Sequence, residues 1–168
     1  MKQEMNRRTF LGRSAQATAG ATLLAGVRRA RADQANDKIV MGVIGLGGRG
    51  RDLCRNFARI PGVEVAYVCD VDEQGRIGAF PEQMERQQNR PVKAVTDMRR
   101  IFDDKDVDAV TVATCDHWHA LATIWACQAG KDVYVEKTPA INVFEGRKMV
   151  EAARKYQRIV QVGLKYAF

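Results

Sequence analysis

The sequence predicts an α/β domain built on a doubly wound parallel sheet, and three observations lead there. Short apolar runs rich in β-branched residues recur between Ile39 and Gly163, each followed by a segment with helical periodicity. The first run breaks into glycines, Gly45-Leu46-Gly47-Gly48-Arg49-Gly50, where a helix should open. No internal repeat or long linker interrupts the alternation, so the strands are expected side by side with crossover helices between them, in the order 3-2-1-4-5-6.

Ile39 to Ile44 reads as a strand buried on both faces. In the G-x-G-x-x-G that follows, Gly45 permits a tight turn, Gly47 lets the backbone approach phosphates, and Gly50 allows helix and strand to pack closely. Gly48 and Arg49 complete the turn. The helix start then presents free N–H groups and a positive dipole end to an anion, which is where a dinucleotide pyrophosphate would sit. Leu53, Cys54 and Phe57 form the apolar stripe of this helix, and Pro61-Gly62 ends it. Val63 to Cys69 is the second strand, closed by Asp70, twenty residues past Gly50. An acid there accepts hydrogen bonds from adenosine ribose hydroxyls and repels a 2′-phosphate. Asp72 takes that role if the strand runs longer.

From Glu73 to Arg90 the chain is polar, and Gly75, Gly78 and Pro81 interrupt it, which predicts a broken or short helix. Pro91 to Val95 makes a third strand, and Thr96-Asp97 caps a brief helix through Phe102. Asp103, Asp104, Asp106 and Asp108 around Lys105 read as a solvated loop. Val107 to Thr114 is a buried strand ending in the polar loop Thr114-Cys115-Asp116-His117-Trp118-His119. That loop opens a helix with Leu121, Ile124 and Trp125 on its apolar side and Gly130 as its stop. Histidines two apart do not share a helix face, so no two-histidine metal site is expected. Trp118 is open between packing on the loop and touching a ligand. Asp132 to Val135 is the fifth strand and delivers Glu136-Lys137 to the same edge. Asn142 to Glu145 is a capping arrangement for a helix with Val143, Gly146, Val150 and Ala153 on one face, and Arg158 to Gly163 is the sixth strand.

The 168 residues carry a formal charge of +7, but its distribution speaks against nucleic acid. Residues 1–32 hold seven Lys/Arg and one Glu, whereas 33–168 hold 20 basic and 19 acidic residues, with no basic run interleaved with aromatics. The first 32 residues read as an export leader, and 33–168 as the folded domain. Asn6-Arg7-Arg8-Thr9-Phe10-Leu11 has the twin-arginine pattern, Ala15 to Val27 is a mild apolar stretch too short for a stable membrane span, and Ala30-Arg31-Ala32 is a cleavage site. This implies delivery to the periplasm or beyond by the twin-arginine machinery, which carries folded proteins. Cys54, Cys69, Cys115 and Cys127 show no metal spacing and read as small apolar filler, except Cys115 on the polar loop.

Together, Gly45 to Gly50, Cys69-Asp70-Val71-Asp72, Val110 to His119, Val133-Tyr134-Val135-Glu136-Lys137 and Glu145 to Ala153 resemble the glucose-fructose oxidoreductase, inositol dehydrogenase and MocA family. The resemblance spans Lys38 to Gly163 and implies a Rossmann domain that binds NAD. It implies that Lys137 lies beside the nicotinamide and the substrate hydroxyl, with Glu136 in the same motif, and that Thr114 and His119 line the cofactor cleft. The sequence departs from the family at Thr138, where proline follows Glu-Lys, and at Cys115, where Thr-Pro is usual. Leu164 to Phe168 also strays from the family's continuation. In the family a second domain follows and supplies the substrate pocket, so the chain is expected to be truncated, able to bind NAD and unable to turn over a sugar alone.

Three functions are open at this point: the nucleotide half of an exported NAD-dependent oxidoreductase of sugars or polyols, a non-catalytic NAD-binding remnant, and half of an NAD-dependent glycoside hydrolase. The leader has its own test. Changing both Arg7 and Arg8 to lysine is expected to leave the chain in the cytoplasm with its leader attached. Fractionation and the size of the product check this, and normal export of the variant would overturn the assignment.

Overall fold

A computed structural model describes residues 38–164. The leader expected over 1–32 and the terminus from 165 to 168 lie outside the described residues. The elements are β1 (Ile39–Ile44), α1 (Gly48–Phe57), β2 (Val63–Cys69), one π-helical turn (Glu73–Ile77), α2 (Phe80–Gln88), β3 (Lys93–Val95), α3 (Arg99–Asp103), β4 (Ala109–Val112), α4 (Asp116–Gln128), β5 (Asp132–Glu136), α5 (Val143–Lys155) and β6 (Val160–Gly163). All neighbouring strands run parallel, in the expected order β3-β2-β1-β4-β5-β6.

β1 lies between β2 and β4, and its last residue, Ile44, is level with Cys69 and Val112. Three loops therefore leave the sheet side by side at its C-terminal edge. The chain's winding reverses about β1, and such a reversal opens a crevice at that edge. Alternate β1 side chains supply two cores. Val43 packs with Val65, Val68, Cys54, Phe80 and Met84 beneath α1 and α2. Ile44 packs on the other face with Val110, Val112, Ile101, Ala122 and Met149, beneath α3, α4 and α5.

Several local expectations change. Pro81 begins a helix instead of breaking one, because it sits at the start of α2, where an amide hydrogen has no intrahelical acceptor to lose. β3, β4 and β6 are shorter than expected; ahead of β3 and β6 the amides of Val92 and Ile159 are taken by the side chains of Glu85 and Asp132 instead of by a neighbouring strand's backbone. The apolar stripe expected on α4 is not its buried face. Leu121 is 38% exposed, while Ala120, Ala122, Thr123, Ala126 and Cys127 are buried, because small side chains bring the helix close to the sheet. On α5 the buried residues are Met149 and Ala152, with Val143 at 82% and Val150 at 49% exposure. Its cap is as expected, with Asn142 Oδ1 accepting from Glu145 N at 2.9 Å.

The acidic loop is a brace more than a solvated turn. Asp104 accepts from the Tyr67 hydroxyl at 2.7 Å, and Asp108 accepts from Val40 N at 2.8 Å. Buried Lys131 donates to the carbonyls of Asp104 and Val107 at 2.5 and 2.8 Å. The Tyr67 hydroxyl, ahead of the Asp106 amide and two lysines, holds the Asp104 carboxyl below its usual range, and burial pushes the Lys131 amine down. These contacts tie the edge at which β1, β4 and β5 begin.

The glycine turn tests the packing. A Cβ on Gly50 would overlap the Gly45 carbonyl oxygen, whereas one on Gly48 meets nothing within 4 Å. Gly50→Ala is expected to cost about 1–3 kcal/mol or more in urea unfolding. Gly48→Ala should stay within about 0.5 kcal/mol of the parent. Equal stability of the two variants would contradict this packing.

Candidate functional site

Gly45 takes φ +92°, and a Cβ there would stand 2.6 Å from the Ala113 carbonyl, so only glycine turns the chain at this spot. Its amide donates to the Cys69 carbonyl at 2.8 Å, and the next amide, of Leu46, donates to Asp70 Oδ2 at 2.7 Å. The turn leads into α1, whose N-cap is Gly47, with no side-chain cap and no acidic residue in the first turn. The first N–H groups of a helix have no intrahelical acceptor. Space above Gly48 is open, and the nearest atom above Gly47 is Arg76 Nη1 at 3.9 Å. An uncapped helix start beneath open space, with no carboxylate competing for it, fits a pyrophosphate.

Beside this turn lies a cleft of about 580 Å³. Gly45, Asp70 and Thr114 line it, together with Arg76, Asp97, Arg99, Cys115, His117, Trp118 and Trp125. Asp70 is 6% exposed. Its Oδ1 accepts from Asp72 N at 3.0 Å, so each oxygen holds one backbone donor and keeps acceptor capacity for a ribose hydroxyl. Asp72 is committed elsewhere, since its Oδ1 accepts from Gly75 N at 2.8 Å. Trp118 both packs on Trp125, with ring centroids 6.5 Å apart, and borders the cleft.

Gly47, Gly48, Arg49, Gly50, Glu136, Lys137 and His119 do not line the cleft. Glu136, at 7% exposure, accepts from Arg49 Nε at 2.7 Å and from Lys137 N at 3.3 Å. It joins the end of β5 to the glycine turn, and the bond to it raises the Arg49 pKa. Lys137 is exposed at the same edge, and its peptide to Thr138 is cis. The expectation that His119 lines the cleft is corrected: the residue belongs to the first turns of α4, not to a loop, and is 1% exposed. Its Nδ1 lies 2.7 Å from the Thr138 carbonyl and its Nε2 3.1 Å from the Thr114 carbonyl, so the ring stands between the loops after β5 and β4, with the donating nitrogen set by its tautomer. Helical phase explains the error, because His117 and Trp118 turn to the cleft and His119 turns inward.

Sequence reasoning passed over Arg76, whose Nη1 is 3.6 Å from Asp70 Oδ2. The signal available was Asp72-x-x-Gly75, which caps the turn carrying it. The Arg99 guanidinium beside Asp97 lowers that carboxyl to about 2, so this second acid of the cleft is a committed anion. Burial pushes the Cys54 and Cys69 thiols up to about 12, consistent with filler, while Cys115 is exposed. Among the described residues no group of three His, Cys, Asp or Glu is placed to hold a metal, and no helix is long and apolar enough to cross a membrane.

A family profile described as an oxidoreductase family with an NAD-binding Rossmann fold, Gfo/Idh/MocA, matches residues 39–164. A glycosyl hydrolase family 109 protein of Shewanella sp. strain ANA-3 is 32% identical over 123 residues, covering 70% of this chain and 26% of that protein. An inositol 2-dehydrogenase of Salmonella typhimurium is 32% identical over 124 residues, covering 73% and 35%. The chain thus spans about a quarter to a third of the length of these relatives. Among solved structures, an NAD-binding oxidoreductase from Klebsiella pneumoniae superposes with TM-score 0.61 at 27% identity, over 75% of this chain and 34% of that one. The WlbA dehydrogenase of Chromobacterium violaceum, solved with NADH and UDP-GlcNAcA, shares the fold with TM-score 0.64 at 23% identity, over 76% and 35%.

The Arg49–Glu136 pair gives the site's stability test. Arg49→Met leaves a nearly buried carboxylate without its charged donor and is expected to cost about 1–2 kcal/mol, the low end for such bonds because the arginine is half-exposed. Adding Glu136→Gln removes the stranded charge and should recover part of the loss. Urea unfolding of the two variants checks this, and a double variant no more stable than the single would contradict it.

Proposed function

The chain belongs to the Gfo/Idh/MocA oxidoreductase family, and from that premise we propose that it is the nucleotide half of an exported NAD-dependent oxidoreductase acting on a sugar or polyol hydroxyl. The observation that carries this reading is the cleft lined by Gly45, Asp70 and Thr114, with the uncapped start of α1 following from Gly45 in the chain. NAD, when bound, takes up or returns a hydride. The first amides of α1 would hold its pyrophosphate, and Asp70 would accept from its adenosine ribose. Lys137, exposed at the end of β5, would hold the proton of the substrate hydroxyl or stabilise the negative charge developing on that oxygen. Arg49 and Glu136 would act on Lys137 by position alone, fixing its backbone against the glycine turn.

The inositol 2-dehydrogenase relative supports a polyol substrate. The family 109 relative supports a second reading, in which a sugar is oxidised transiently and its glycosidic bond cleaved. Export is supported by Arg7-Arg8 and by Ala30-Arg31-Ala32.

Titration of the full chain is expected to show NAD binding that Asp70→Asn weakens about ten- to a hundredfold, the effect of losing charged hydrogen bonds. Failure of the parent chain to bind NAD would overturn the reading. Addition of polyols and aryl glycosides to the NAD-loaded chain separates the alternatives. Accumulating NADH marks a dehydrogenase, and aryl release without net NADH marks a glycosidase, either being lost in Lys137→Ala. Binding without turnover marks a nucleotide-binding protein that does no chemistry by itself.

A further inference from the structure

Arg76 stands in the cleft with a fixed backbone and an uncommitted side chain. Its π-helical turn is held at the start by Asp72, whose Oδ1 accepts from Gly75 N at 2.8 Å and whose carbonyl accepts from Arg76 N at 3.1 Å. At the other end Arg51 Nη2 donates to the Arg76 carbonyl at 2.5 Å. The guanidinium is half-exposed and lies 3.6 Å from Asp70 Oδ2, an ion pair without a hydrogen bond. Arg99, the other guanidinium lining the cleft, is tied through Nε and Nη2 to both oxygens of Asp97 at 2.7–3.0 Å.

Asp70 by itself discriminates against a 2′-phosphorylated nucleotide, because a carboxylate repels a phosphate and offers it no donor. Arg76 changes both terms at the same atom. Its charge offsets that of Asp70, and its planar fork can give phosphate two hydrogen bonds once it turns from a partner that holds it loosely. A ribose hydroxyl gains little from it, since Asp70 already accepts there.

We infer that Arg76 is a specificity-determining residue, through which a site built around Asp70 accepts NADP beside NAD. This rests on the cleft being the nucleotide site proposed above. Trp118 and Trp125, the two tryptophans of the chain, both line the cleft, so their fluorescence reports occupancy without turnover.

The experiment titrates NAD and NADP into the full chain and into Arg76→Ala and Arg76→Lys at one fixed, low ionic strength. The parent is expected to bind NADP within about tenfold of NAD. Arg76→Ala should lower the ratio of NADP to NAD affinity about tenfold or more, any loss common to both nucleotides reflecting its place above Gly47, with Arg76→Lys retaining most of the ratio through its charge. Loss of the charge facing nearly buried Asp70 can lower the thermal midpoint, but the ratio of the two affinities is insensitive to a general loss of folded protein. An unchanged ratio in Arg76→Ala, with NAD still binding, overturns the inference and leaves the nucleotide site standing. A parent chain that binds neither nucleotide overturns both.

Discussion

The structure depends on the close approach of α1 to the loop after β1. Gly50 touches the Gly45 carbonyl so closely that no side-chain carbon fits between them, and Gly45 in turn rests on the backbone at Ala113. Helix start, first strand end and fourth strand end thus converge at one point of the sheet. The contact has little dispersion energy of its own. Its importance is positional, since it holds the uncapped amides of α1 over the crevice where the strand order reverses.

Two nearly buried carboxylates hold the glycine turn from opposite sides of that reversal. Asp70, at the end of β2, accepts from Leu46 N, and Glu136, at the end of β5, accepts from Arg49. A carboxylate taken from water is tolerated only when hydrogen bonds and opposite charge satisfy it, so each acid depends on the turn as much as the turn depends on it. The same dependence separates the roles. Asp70 keeps acceptor capacity on the cleft side, whereas Glu136 spends its oxygens on positioning, which places Lys137 in register with the glycine turn without contributing to the cleft wall.

His119 stands at the comparable place on the β4 side, between the carbonyls of Thr114 and Thr138 in a nearly solvent-free position. Polar side chains therefore stand between the loops after β1, β4 and β5, while the turn after β2 is held through its backbone by Asp72 and Arg51. Arg76 rides on that last turn. A rigid backbone beneath a loosely paired guanidinium permits the side chain to move without cost to the fold.

The strands and the glycine turn are legible in the sequence because apolar β-branched runs and a G-x-G-x-x-G are local patterns, and the strand order is expected only through the fold class that their alternation with helices implies. Asp70 follows the end of β2 and Thr114 lies just past β4, both beside the cleft. The tertiary structure alone decided which way side chains turn once a helix has begun. His119 faces inward while His117 faces the cleft, because α4 starts at Asp116 and each residue advances about 100° around its axis. Leu121 stays partly exposed although it is among the most apolar residues of α4, because the sheet takes the small residues that let the helix approach, whereas α5 buries Met149 and Ala152 and leaves Val143 out. Arg49 meets Glu136 across 87 residues, and Arg51 fixes Arg76 across 25. Such pairings depend on how whole elements dock, and that information is not contained in any stretch short enough to show a period.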